Sequence, residues 1–271
     1  MTELLLLKLM LSFVIGGLFV AGCTAAAERF GTHVGGVIAG FPSTIAVALL
    51  SIGLVSGPEA ASEATDVVPL VVGFNGLFLV GFAVFARRGL LRGLGGALLV
   101  WFLLSLAVVL SGFRDFAVSI AVFLVLLFVC HDLLWRRMDL PAFGGGRFRP
   151  TIGRMVSRAV FSGSVIALAA YLSKATGPIV GGVFSVFPAV FVSTLFIASR
   201  SRGVEFARAL TKPLMVSGMI NVAVYGVCVR YVYPILGLPL GTAAAFVVSL
   251  ASAYGTFRFV MVRLGAAESP R

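Results

Sequence analysis

The stretch that decides the fold is Gly31-Thr32-His33-Val34-Gly35-Gly36-Val37-Ile38-Ala39-Gly40-Phe41-Pro42, because it recurs as Gly177-Pro178-Ile179-Val180-Gly181-Gly182-Val183-Phe184-Ser185-Val186-Phe187-Pro188. Seven of the twelve positions are identical at a constant offset of 146: Gly31, Val34, Gly35, Gly36, Val37, Phe41 and Pro42. Without a gap, the same offset pairs Leu49 with Leu195, Gly57 with Gly203, Glu59 with Glu205, Ala61 with Ala207, Thr65 with Thr211 and Asn75 with Asn221. Shared hydrophobicity does not match rare polar residues in register, so the chain reads as a duplication.

The surroundings are those of a membrane protein. Of 271 residues, 60% are hydrophobic and 11% charged, where a water-soluble domain carries about a quarter charged. A bilayer core of about 30 Å needs roughly 20 apolar residues per helix. Nine such runs are expected: Leu4–Ala26, Val34–Val55, Val67–Phe85, Leu94–Leu110, Phe116–Leu134, Met155–Leu172, Ile179–Ala198, Leu210–Val229 and Thr242–Val262. The expected fold is all-α and polytopic. Residues 1–112 form the first four-helix repeat, 113–150 a linker helix with a basic loop, and 151–271 the second repeat. Five spans separate equivalent points, an odd number, so the second repeat would lie upside down relative to the first.

Charge supports that arrangement. With the amino terminus outside and the carboxyl terminus in the cytoplasm, 17 of the 21 Lys and Arg residues fall inside, leaving Lys8, Arg114, Lys174 and Arg230 outside. This is the positive-inside pattern. The net charge of +11 therefore reads as orientation and contact with lipid headgroups, not as nucleic-acid binding. The link after the second span is acidic in repeat one (Glu59, Glu63, Asp66) and basic in repeat two (Arg200, Arg202, Arg208, Lys212). A competing reading of the first span is a lipoprotein leader ending at Val20-Ala21-Gly22-Cys23, but Glu3 and a single Lys8 make a poor leader. Cys23, Cys130 and Cys228 lie in apolar runs and suggest neither a disulfide framework nor a metal.

Inverted repeats are the usual build of secondary transporters, in which two halves exchange conformations about a midplane site. Pro42 and Pro188 fall about nine residues into their spans and should kink them, freeing backbone polar groups. The candidate substrate-binding residues are Phe41, Pro42, Thr44 and Asn75 in the first copy and Phe187, Pro188, Thr194 and Asn221 in the second. A buried amide needs a polar partner, which either interhelical bonding or a ligand would supply. Gly31, Gly35, Gly36, Gly177, Gly181 and Gly182 have spacings suited to close helix packing, and packing alone is the simpler explanation of the motif. Glu59 and Glu205 suit helix capping, and His131 beside Asp132 suits a solvated boundary. Gly144-Gly145-Gly146-Arg147 lacks the lysine of a phosphate cradle, and no catalytic motif occurs, so neither an enzyme nor a cofactor or metal is expected. The expected activity is transport of an unknown small solute or lipid-linked precursor across the cytoplasmic membrane. A structural or accessory protein organising lipids or a synthase complex is the alternative, and a channel a third; lipids are the expected partners, and a homo-oligomer is compatible.

Leu172-Ser173-Lys174, the following Gly-rich segment, Phe187-Pro188, Arg202-Gly203-Val204-Glu205 and the Arg208–Thr211 stretch resemble the small four-helix membrane proteins of the GlpM or DUF3147 kind. The resemblance runs from about Val160 to Phe257. It implies a four-helix membrane unit, in a family of single copies with uncertain function linked to polysaccharide production in some bacteria. This chain departs from it in having two copies and a connector, and its first copy lacks the arginines of the link.

Overall fold

The computed structural model describes residues 3–29, 41–138, 140 and 151–268, which are helical with no strand among them. The helices are α1 (Glu3–Arg29), α2 (Ser43–Ser56), α3 (Pro58–Ala64), α4 (Val68–Phe85), α5 (Leu90–Ser111), α6 (Phe116–Asp132), α7 (Ile152–Thr176), α8 (Pro178–Ser185), α9 (Ala189–Arg202) and α10 (Val204–Glu268). Gly31, Gly35, Gly36, His33 and the loop from Gly144 to Arg147 lie outside the described residues.

Among the described residues, seven helical stretches are long and apolar enough to cross a membrane. The expected nine differ at two places, each with a physical reason. The eighth and ninth spans form the single element α10, whose stretch Val204–Thr256 is 53 residues long, more than two crossings need. Gly237 interrupts it at φ 67°, ψ −176°, outside helical values. The second span is described only from Phe41, where it appears as the 14-residue apolar helix α2.

Glycine and proline set the helix ends, and they do so alike in the two copies. Helices α2 and α9 each have 14 residues and begin and end at an offset of 146. Each begins after proline, Pro42 at φ −79°, ψ 55° and Pro188 at φ −74°, ψ 41°. Each ends at a glycine in a conformation that side chains avoid, Gly57 at φ 100°, ψ 159° and Gly203 at φ 89°, ψ 165°. Proline has no N–H and restricts the residue before it, so Pro188 divides the seventh span into α8 and α9 instead of bending it.

A close crossing joins α1 and α7, the first helices of the two copies. A Cβ on Gly17 would lie 2.5 Å from the carbonyl oxygen of Ala159, and one on Gly163 would meet the carbonyl oxygen of Phe13. At the offset of 146, Gly17 corresponds to Gly163 and Phe13 to Ala159, so the two close approaches are reciprocal. Gly181 faces Ser173 and Gly182 faces the carbonyl of Ala64, both at distances only glycine permits. Gly177, expected in a packing seam, instead has φ 109° with nothing near its Cβ position, and serves the turn into α8.

Helix α4 is central, with 72% of its spanning stretch buried, against 22% for α6. Phe78, Phe82, Trp101, Tyr225 and Tyr233 fill the core beside it. The outer helices expose large apolar side chains along much of their length, including Leu7, Ile15 and Leu18 on α1, Leu99 and Leu103 on α5, and Leu124 and Phe128 on α6. Exposure on this scale suits lipid and not water.

Candidate functional site

Both proline breaks open into one cavity of about 80 Å³. Phe41, Pro42 and Thr44 line it from the first copy, and Val186, Phe187 and Pro188 from the second. Asn75 of α4 lies between them, 5% exposed, and its Nδ2 donates to the Val186 carbonyl at 3.0 Å. That carbonyl is an acceptor, so the amide nitrogen must face it, and the free end of the amide is the acceptor Oδ1. Asn75 Oδ1 and Thr44 Oγ1 are both buried without a hydrogen-bond partner among the described residues. Ser185 and Ser217, also in the lining, donate to their own helices, to Gly182 at 2.7 Å and Pro213 at 2.9 Å.

Two helices start at the cavity, α2 and α9, neither with a side-chain cap. In α9, Ala189 N–H bonds to Phe187 and Val192 N–H to Pro188, while the Val190 and Phe191 N–H groups between them have no acceptor among the described residues. Each helix start places about half a positive charge at the cavity. No side chain in the lining is charged.

The two phenylalanines are clamped in parallel ways. Phe41 stacks on Phe246 of α10, centroids 5.0 Å apart, and meets Phe19 of α1 edge-on at 6.5 Å. Phe187 meets Trp101 of α5 edge-on at 5.2 Å and Phe161 of α7 at 6.1 Å. Each therefore packs between the first helix of its own copy and the fourth helix of the other.

Six of the eight residues singled out from sequence meet here: Phe41, Pro42, Thr44, Asn75, Phe187 and Pro188. Thr194 and Asn221 are not in the lining. Thr194 Oγ1 accepts from Arg158 at 3.1 Å, and Arg158 also reaches Thr24. Asn221 Oδ1 accepts from Ser252 Oγ at 2.8 Å, and its Nδ2 lies 3.2 Å from Thr256 Oγ1. Sequence reasoning missed Ser217, one turn before Asn221, as well as the clamping aromatics Trp101 and Phe246. For Ser217 the signal was its place on the same helix as Asn221. Among the described residues, no three His, Cys, Asp or Glu side chains gather as a metal site would require.

A helical bundle with a lipid-suited exterior and a small internal cavity beside two proline-led helix starts has the build of a multi-pass membrane protein. Residues 9–113 match the family model described as "Protein of unknown function (DUF3147)". The match covers the first copy, whereas the motifs quoted above lie in the second; the offset of 146 joins the two. No curated protein and no solved structure matches the chain.

Proposed function

We propose that the chain is an inverted-repeat carrier of the cytoplasmic membrane that moves a small solute through the cavity between the Phe-Pro breaks, with its amino terminus outside. The observation that carries this reading is that equivalent breaks from both copies border one cavity, beside a reciprocal crossing of their first helices. Such pairs can exchange conformations and open the site to alternate faces. Two long-range contacts agree with the pairing of spans, since each joins groups assigned by charge to the same side: Asp66 pairs with Arg230, and Lys8 donates to the Leu54 carbonyl at 2.5 Å.

Volume narrows the cargo. A dry cavity of about 150 Å³ accommodates benzene, so 80 Å³ suits three or four heavy atoms and not a lipid-linked precursor. The lack of titratable side chains in the lining favours binding over catalysis. The accessory-protein reading draws on Asn221, which serves as interhelical bonding.

Accessibility separates the two readings. Thr44→Cys and Ser217→Cys, each made after replacing Cys23, Cys130 and Cys228 with alanine, should react with aqueous thiol reagents from either face of the membrane, in proportions that shift when conditions favour one conformation. Protection from both faces would overturn the carrier. Simultaneous access from both, with ion conduction across a planar bilayer, would replace it with a channel.

A further inference from the structure

The unmet hydrogen-bonding groups in the cavity define what it can hold. We infer that the site binds a small oxyanion that retains a proton, of the size and shape of hydrogen carbonate. This rests on the reading that the cavity is a solute site, and it specifies the class of solute.

Three features of the cavity converge. Among the described residues, the Val190 and Phe191 N–H groups at the start of α9 have no acceptor, and the Thr44 hydroxyl has no partner. All three can donate, so the ligand must offer acceptor atoms. The starts of α2 and α9 both bring positive potential, which the carboxyl end of α8 at Ser185 and Val186 offsets only in part, and no carboxylate among the described lining residues adds to that offset, so those acceptors do best with negative charge.

Asn75 adds the third requirement. It is 95% buried by its 5% exposure, its Nδ2 is held by the Val186 carbonyl, and its Oδ1 has no donor. An unprotonated anion would set a second acceptor against that oxygen and leave it unsatisfied. A buried acceptor left in that state destabilises by about as much as a hydrogen bond stabilises. A ligand with one hydroxyl and two or more further oxygens answers both demands. A cation would meet the positive helix ends, and a neutral solute would gain nothing from them.

The cavity volume limits the ligand to about three or four heavy atoms by comparison with benzene in about 150 Å³. Three planar four-atom solutes of nearly equal size then isolate each requirement. Hydrogen carbonate has the charge and the proton, nitrate has the charge without the proton, and urea has donors without the charge.

The experiment uses the full chain in lipid nanodiscs, with equilibrium binding of each solute measured by calorimetry at fixed ionic strength and at a pH where hydrogen carbonate is the main species. Hydrogen carbonate should bind at least about tenfold more tightly than either of the others, the effect of one charge-assisted hydrogen bond. Thr44→Val removes a hydroxyl that bonds to nothing in the protein, so its thermal stability should equal or exceed that of the parent while hydrogen carbonate binding weakens about tenfold. Asn75→Leu should weaken hydrogen carbonate more than nitrate, even if it also loosens the fold. Nitrate binding as tightly as hydrogen carbonate would overturn the proton requirement, and urea binding most tightly would overturn the charge requirement. Failure of all three to bind would overturn the inference entirely. Because binding in nanodiscs needs no transport, hydrogen carbonate binding without a shift in cysteine access would remove the carrier and keep the ligand. Shifting access with no binding would do the reverse.

Discussion

Replacing Gly17 or Gly163 with alanine tests whether the two halves meet about a true internal axis. A Cβ at Gly17 would stand 2.5 Å from the Ala159 carbonyl oxygen, where ordinary contact begins near 3.4 Å, so α1 and α7 must part by about 0.9 Å. A gap of that size forfeits a quarter to a half of the attraction between facing atoms. Overpacking of this kind typically costs about 1–3 kcal/mol, against which alanine regains about 1 kcal/mol of helix propensity. Each single variant should therefore lose up to about 2 kcal/mol. Gly163→Ala should be the worse of the two, because its Cβ would press more closely on the Phe13 carbonyl. Since one separation relieves both clashes, the double variant should lose clearly less than the sum of the singles, a departure from additivity expected only of residues sharing one contact. Unfolding by denaturing detergent from mild micelles measures all four proteins. Strict additivity, or no loss in either single variant, would refute the reciprocal crossing.

Two further outcomes follow from the polar contacts. Asn221→Ala should cost about 1–3 kcal/mol by removing the acceptor of the Ser252 hydroxyl, yet leave hydrogen carbonate affinity within about twofold of the parent, whereas Thr44→Val should do the opposite; equal loss of affinity in both variants would return Asn221 to the site. Asp66 and Arg230 join the turn before α4 to α10, with Arg230 also 4.3 Å above the Phe116 ring. A double-mutant cycle of Asp66→Asn and Arg230→Gln, followed by unfolding, should give a coupling of about 1 kcal/mol or more because both groups are largely buried, and a coupling near zero would show the pair to be incidental.

The breaks were legible in the sequence because their residues leave the backbone few alternatives. Proline at positions 42 and 188, and glycine at 57 and 203, give the two copies the same helix ends. The cavity followed, since two breaks at equal depth expose polar backbone that lipid cannot satisfy. What the duplication did not convey is where its copies have diverged. Thr194 is held by Arg158, whose counterpart at the offset of 146 is Ser12, a residue that bonds only to its own helix at Lys8. Asn221 is held by Ser252 and Thr256, whose counterparts are Leu106 and Leu110, both exposed. Equivalent positions thus acquired unequal neighbours, and the identity of the asparagine alone could not reveal it. The seam glycine Gly177 misled for a related reason, because four-residue spacing is shared by packing seams and by turns that open a helix.

The exchanged aromatic clamps also order the events of synthesis. Helices enter the membrane from the amino terminus onward, so Phe41 is in place long before its stacking partner Phe246, which arrives with the last segment of α10. Phe187 finds Trp101 and Phe161 already waiting. Until translation is nearly complete, one wall of the cavity lacks its support, and a chain truncated after Gly237 would have every element of the first copy yet no finished chamber.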